Sequence, residues 1–446
     1  MWNWLYGSKS TASVRGSSAR SIPRLERLEA RIVLAANVAA YVSNGDLIVT
    51  GDNRDADIAI SQPRPGEFIL TGGKINGSDG PATFSGVTRD LRINLGSGND
   101  SLTIDNSNPI TVPGNFSIQG GQGSNSVITL GGSSAALNVA GNLCITNLPG
   151  GAQIIDLGNL NVNGNVEIRN HGGDAVVEID TDGADAPNTI RGNLLISNGP
   201  GKIDSVRISS IHVSGDVRIR NQAVQSMVSI VTPPTFDDMV PLPNIIRGSV
   251  QIANGQEKSS DAQIVHTEIG RDLQVTHVGP GSSKILVLSS KVSGVTNLRG
   301  SNGDDAIVVN DATFGGDFRL QTGRGSDTVS IGSARPVMLY RAVVETRTKA
   351  VQVTEGGRTY TITVNYFVVK TAYENVVIDG GQVTFTGDMR VKLGAGADEL
   401  KLALDADVAF KKTAIVDADR GHDTAIVRTD NLSGLRKLRH FLVKIV

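Results

Sequence analysis

The feature that most constrains this chain is a phrase that recurs along nearly all of it: an apolar residue, a spacer, a glycine, a small polar residue, then two apolar residues one position apart. The clearest copies are Val112-Pro-Gly-Asn-Phe-Ser-Ile118, Val139-Ala-Gly-Asn-Leu-Cys-Ile145, Val162-Asn-Gly-Asn-Val-Glu-Ile168, Ile190-Arg-Gly-Asn-Leu-Leu-Ile196, Val213-Ser-Gly-Asp-Val-Arg-Ile219 and Ile246-Arg-Gly-Ser-Val-Gln-Ile252. Weaker copies surround Gly45, Gly66, Arg89, Arg271, Gly294, Gly316 and Gly387. The step is 23 residues from 141 to 164, 192 to 215, 248 to 271 and 271 to 294; steps of 27 (114 to 141) and 33 (215 to 248) read as loop insertions. A fixed period of this order marks a solenoid, in which each repeat packs only on its neighbours.

Between anchors, apolar and polar residues alternate, as in Val206-Arg-Ile208, Val217-Arg-Ile219 and Thr328-Val-Ser-Ile331, which is the pattern of half-buried strands. At roughly 3.3 Å per residue, a repeat holds about three short strands and three turns. The expectation is an all-β parallel β-helix: one domain over 37–446, with inward Val, Ile and Leu forming a continuous core. The 52 glycines and the 4% aromatic content fit a narrow aliphatic interior better than a two-sheet sandwich, which gives no reason for evenly spaced anchors. A net charge of -2 offers no basic field for nucleic acid, and no apolar run is long enough for a transmembrane span. The single cysteine, Cys144, is expected at an inward position as a small buried hydrophobe.

Residues 1–36 follow another grammar. Lys9, Arg15, Arg20, Arg24, Arg27 and Arg31 precede the short apolar run Ile32 to Ala36, the layout of an export signal; the alternative is a disordered tail. Leu28-Glu-Ala-Arg-Ile-Val-Leu34, followed by Ala35-Ala36, resembles the Leu-Glu-Pro-Arg-x-Leu-Leu segment near the start of many exported planctomycete surface proteins, with Ala30 and Val33 departing from it. The resemblance implies a bacterial, extracellular or cell-surface location and says nothing of activity.

A second phrase, Gly-x-Gly-x-Asp-x-apolar, ends at Asp100, Asp327 and Asp398, with looser copies at Asp305 and Asp423 and an Asn version at Asn125. These turns resemble single copies of the nonapeptide of calcium-binding RTX repeats. That resemblance implies Ca²⁺ as cofactor, with Asp100, Asp305, Asp327, Asp398 and Asp423 as ligands. Calcium takes six to eight oxygens, glycines free turn carbonyls to face the ion, and aspartate supplies charge. Here the motif occurs singly, and the turns at 147–153, 198–201 and 254–262 lack an Asp in register. Asp305 and Asp327, 22 residues apart, are expected in adjacent coils, with Asp398 and Asp423 as a second pair. The alternative is a structural corner in which Gly supplies positive φ and Asp bonds nearby backbone.

The 71 residues from Gly316 to Gly387 hold an insertion at about 335–373, where Val343 to Val353 and Thr359 to Val369 flank Glu355-Gly-Gly-Arg358 as a hairpin. It carries Tyr340, Tyr360, Tyr366 and Tyr373; it either binds a partner or packs sideways against the coils. Leu432, Leu435, Leu438, Phe441 and Leu442 predict an amphipathic cap helix within 431–446. Enzymatic signals are thin. Asp237-Asp238, in a Pro-rich loop, is the one paired carboxylate on a clear loop; the six histidines lack ligand spacing, and no nucleophile elbow or phosphate loop occurs. The expected function is a non-enzymatic extracellular structural or adhesive rod, calcium-stabilised at its Asp corners. Its expected partners are cell-envelope components, polysaccharide or other surface proteins. The alternative is a carbohydrate-active β-helix, a polysaccharide lyase or hydrolase.

Overall fold

The fold comes from a computed structural model, which describes residues 37–446 except 105–107, 124, 132–135, 182–185, 233–242, 256–257, 333–335, 356–357, 378–380, 405, 429–431, 434–436, 440–441 and 446. At 125–126, 336–377, 432, 437–439 and 442–445 the description covers backbone alone. The export-signal segment 1–36 and the Asp237-Asp238 loop therefore lie outside it.

The described residues are all-β, without a helix, and wind as a parallel β-helix. One coil shows the plan. Leu143–Asn147 belongs to a first wall, Ala152–Gly158 to a second and Leu160–Val162 to a third, and each pairs in parallel with its counterpart one coil on. Alternating side chains turn inward, so Leu143, Ile145, Ile155, Leu157, Leu160 and Val162 are buried in one continuous core with their equivalents from other coils. The register carries the repeat: Leu143 stands opposite Val166, Leu194 opposite Val217, Val250 opposite Leu273. The long insertion does not disturb it, since Phe318 pairs with Met389 and Val329 with Leu400 across the gap. Phe314, Phe385 and Phe410 stack in the third wall with centroids 5.2 Å apart, and Phe318 meets Phe314 edge-on at 4.8 Å, which ties the coils on both sides of the insertion together.

The recurring Gly-Asn phrase has a specific cause. The anchor glycines at 141, 164, 192, 215 and 248 are not the ones with positive φ; they stack on one another so closely that a side chain has no room. A Cβ on Gly192 would lie 2.5 Å from Asn165 Oδ1 and 2.6 Å from the Gly164 carbonyl. The next residue then bonds the coil that follows: Asn142 Oδ1 accepts from the Asn165 amide at 2.8 Å, Asn165 from Asn193 at 2.8 Å and Asn193 from Asp216 at 2.8 Å. Non-glycine positive φ gathers at the corner between the second and third walls, where Asn159, Ser210, His266, Ser289, Asp311 and Ala403 adopt it beside Gly131 and Gly332.

Several expectations are corrected. The first repeat is a coil under a cover: Asp46–Thr50 and Asp57–Arg64 pair in parallel with Leu91–Asn94 and Asp100–Ile104, and antiparallel strands close over them, Asn37–Ser43 folding on Asp46–Thr50 through Asn44-Gly45 and Glu67–Thr71 pairing with both Asp57–Arg64 and Ala82–Ser85. Asn44 and Gly45 have φ of 52° and 84°, the two positive values a tight hairpin turn requires. The described residues of 431–446 form no cap helix. Leu432–Ser433, Lys437–Arg439 and Leu442–Ile445 are strands that add to the three walls, because the coil template offers unpaired backbone that a helix would leave unsatisfied. Cys144 lies on the outer face of the first wall, half-buried, between the inward Leu143 and Ile145.

The insertion is a hairpin of Pro336–Glu355 and Arg358–Val377, longer than its alternating core suggests. Its first strand approaches the second-wall strands Ile203–Ile208 and Gln225–Val231. On that side the outward Val231, Val265, Leu286 and Leu288 form a separate buried apolar cluster, so the hairpin packs against the coils. Its tyrosine side chains lie outside the described residues.

Candidate functional site

Among the described residues, the corner where the first wall hands over to the second collects many of the buried polar groups. First-wall strands end on an inward amide, giving a ladder in which Asn147 donates to Asn170 (2.9 Å), Asn170 to Asn198 (2.8 Å), Asn198 to Asn221 (2.9 Å) and Asn221 to Asn254 (3.1 Å). His277 occupies the next rung, opposite Asn254, fully buried; burial pushes its pKa down to about 4, against the pull of the Ser260 backbone, so it is neutral.

After the turn, the first or second residue of each second-wall strand falls in one column. Register places Asp100, Ser126, Gln153, Ala175, Asp204, Ser226, Ser260, Ser283 and Asp305 in it. Asp327, Asp398 and Asp423 continue it through backbone-to-carboxylate bonds: the amides of Asp305, Asp327 and Asp398 donate to Oδ1 of Asp327, Asp398 and Asp423 at 3.0, 2.9 and 3.0 Å. Ser283 donates to Asp305 Oδ1 through both its amide (3.0 Å) and its hydroxyl (2.7 Å), Ser301 Oγ reaches the same atom at 2.7 Å, and the Ala56 amide reaches Asp100 Oδ1 at 2.9 Å. The two expected pairs thus merge into four consecutive coils, with Asp100 farther along the same column.

In all five aspartates Oδ2 is buried without a hydrogen-bond partner. Burial raises Asp100 and Asp327 to about 6 each, opposed by the amides of Ala56 and Asp305 and, at Asp327, by Thr322; neighbouring carboxylates raise both further. Asp398 is raised for the same reason, with Asp423 and Asp305 adding to the effect.

Sequence reasoning missed Asp204. It is fully buried, its Oδ2 accepts from the amides of Gln222 (3.0 Å) and Ala223 (2.9 Å), and burial lifts its pKa to about 7. Its turn, Gly199-Pro-Gly-Lys-Ile-Asp204, is one residue longer than the motif, so the Gly-x-Gly-x-Asp template passes over it. The signal that finds it is Asp204-Ser-Val206, the same Asp-x-apolar start as Asp100-Ser-Leu102. The Asn125 version is out of step by one: Ser126 stands opposite Asp100.

A calcium ion here would meet a sparse donor set. Each corner has one uncommitted carboxylate oxygen, and a Cβ on Gly121 or Gly300 would fall 2.3 or 2.1 Å from Oδ2 of Asp100 or Asp305, which shows how tightly glycine packs over those atoms. Among the described residues no group of three or more His, Cys, Asp or Glu side chains could hold a metal ion. The residues fit a hydrogen-bonded corner better than a site of several carboxylates. No helix among the described residues is long and apolar enough to cross a membrane. No protein family, curated protein or solved structure matches the chain.

Proposed function

We propose that this protein is a non-enzymatic, extracellular β-helix of a bacterial cell surface with a structural or adhesive role. The observation that carries the proposal is where the buried polar groups are used. Five stacked asparagines, the Gly-Asn bonds and the aspartate column all join one coil to the next. Such ladders suit a protein that must hold a long surface in place, since each rung fixes register as well as satisfying a polar group. The resemblance of Leu28 to Ala36 to the planctomycete export segment supports the extracellular part of the reading.

Calcium enters this proposal as an occupant that would draw most of its ligands from turn carbonyls and water. Thermal unfolding followed by circular dichroism, in EDTA and then in millimolar Ca²⁺, tests it. A ligand held only by the native state at about 100 times its dissociation constant adds roughly 2.7 kcal/mol. A rise in melting temperature that disappears in Asp305→Ala/Asp327→Ala supports a calcium-stiffened β-helix, and identical melts leave the aspartates as turn chemistry alone. Release of reducing or unsaturated sugar ends from a panel of polysaccharides would overturn the non-enzymatic reading.

A further inference from the structure

We infer that the outer face of the first wall, near the last Gly-rich corners, binds an acidic polysaccharide, seating an anionic group between Arg324 and Arg420. The inference deepens the adhesive reading above and rests on it for the partner being a polymer outside the cell.

The seat is built by the register. Arg324, Ala395 and Arg420 occupy one position in three successive coils, Arg324 bridging to Ala395 and Ala395 pairing with Arg420. With coils about 4.8 Å apart, the two arginines flank a gap of roughly 10 Å at the level of the alanine. Gly323 and Gly394 add no side chains, and a cleft of about 350 Å³ opens there, which Lys392 and Gln321 border from the wall. Arg324 and Arg420 are exposed and make no ion pair among the described residues; Asp419 also lines the cleft, its Oδ2 3.9 Å from Lys392 Nζ, and Asp417 stands opposite Lys392 in register, so three cations face two carboxylates. Guanidinium groups on two sides and an ammonium on a third match a carboxylate or sulfate, which accepts in the plane that a guanidinium offers.

The cleft opens onto a basic strip. Arg299, Arg319 and Arg390 project outward from successive first-wall strands beside Lys392, against Asp417; Arg319 is shared with Asp317 at 3.3 Å. Asn297 and Gln321 stand among these cations as amide donors and acceptors. That mixture favours a chain bearing both anionic groups and hydroxyls. No aromatic side chain lies among these wall positions, so neither a neutral glycan nor single-stranded nucleic acid finds the stacking surface it would use.

The test is titration calorimetry of the full chain with oligomeric polygalacturonate, with neutral dextran oligomers and a single-stranded DNA oligonucleotide as comparators. Binding of the uronate oligomer is expected to weaken as salt rises from about 50 to about 300 mM. It should weaken about tenfold or more in Arg324→Gln/Lys392→Gln/Arg420→Gln, and little in Arg169→Gln/Arg220→Gln, which removes charge from the same wall several coils away. Unchanged circular dichroism shows that each variant is folded. Equal affinity in the triple variant, or equal binding of dextran or DNA, would overturn the inference. Binding followed by cleavage of the oligomer would keep the seat and overturn the non-enzymatic reading, whereas no binding by an intact, calcium-responsive β-helix would remove the seat and leave that reading standing.

Discussion

At the residue scale, the fold depends on how little room a coil leaves for the next. Gly192 touches the backbone of Gly164 and the side chain of Asn165, so a methyl group must move main chain rather than a flexible side chain. Gly192→Ala is therefore expected to destabilise the protein by about 1–3 kcal/mol, the usual cost of overpacking, as read from the denaturant midpoint. The buried aspartates predict a pH response with a definite sign. Asp204 titrates at about 7 and Asp100 and Asp327 at about 6 in the fold, against 3.8 for the unconstrained side chain. Between about pH 4 and 7 the folded chain thus binds more of these protons than the unfolded one, and the stability they contribute falls as pH rises through that window. His277 acts in the opposite sense: with a folded value of about 4 against 6.5, it costs stability only as pH falls below about 6.5. Melting temperature is expected to rise on acidification from about pH 8 to about pH 6.5, where the aspartates act unopposed. Asp204→Asn, whose amide oxygen can still accept from Gln222 and Ala223, should melt higher than the parent at pH 8 and show a flatter profile.

At the element scale, the sequence makes some features plain and hides others, for physical reasons. The strands and their step are legible because one inward apolar residue in two is a local pattern, and glycine followed by Asn, Asp or Ser marks the same corner in most coils. The asparagine ladder is legible in retrospect as Ile-x-Asn, at Ile145-Thr-Asn147, Ile168-Arg-Asn170 and Ile196-Ser-Asn198. The terminal strands were hidden because Leu432, Leu435 and Leu438 satisfy helical spacing, while the pairing that decides their structure comes from Val408–Phe410 and Ala414–Gly421. The hairpin's existence could be read from its alternation, but its seat could not, since nothing local ties it to Val231 and Leu286. Replacing 336–377 by a short Gly-Ser link should leave the coils paired, because Phe318 already meets Met389. It should also uncover Val231, Val265, Leu286 and Leu288. The expected result is a retained β spectrum, a lower melting temperature and new binding of an apolar dye; a shortened chain that takes up no dye would show that the hairpin is not the cover.

At the scale of the whole described chain, averages mislead where the walls differ. A net charge of -2 says nothing of the cations that gather at Arg299, Arg319, Arg390 and Lys392, which outnumber the carboxylates beside them, Asp317, Asp417 and Asp419, while other carboxylates sit in the buried column. A stack of parallel strands also has the same template at every level, so its stability is that of neighbouring coils, and each end needs a device to stop it. At the N-terminal end that device is a set of antiparallel strands on the first coil: Asn37–Ser43 pairs antiparallel with Asp46–Thr50, and Glu67–Thr71 with Asp57–Arg64, while Asp46–Thr50 and Asp57–Arg64 pair in parallel with Leu91–Asn94 and Asp100–Ile104. Removing residues 37–85 would expose the edges of Leu91–Asn94 and Asp100–Ile104 along with apolar residues such as Leu91 and Leu102, now fully buried. An edge of that kind pairs with whatever strand it meets. The truncated protein is expected to elute from size exclusion as concentration-dependent oligomers while keeping its β spectrum. A truncated protein that stays monomeric over a hundredfold range of concentration would show that the first coils close themselves, and that the antiparallel strands serve some end other than capping.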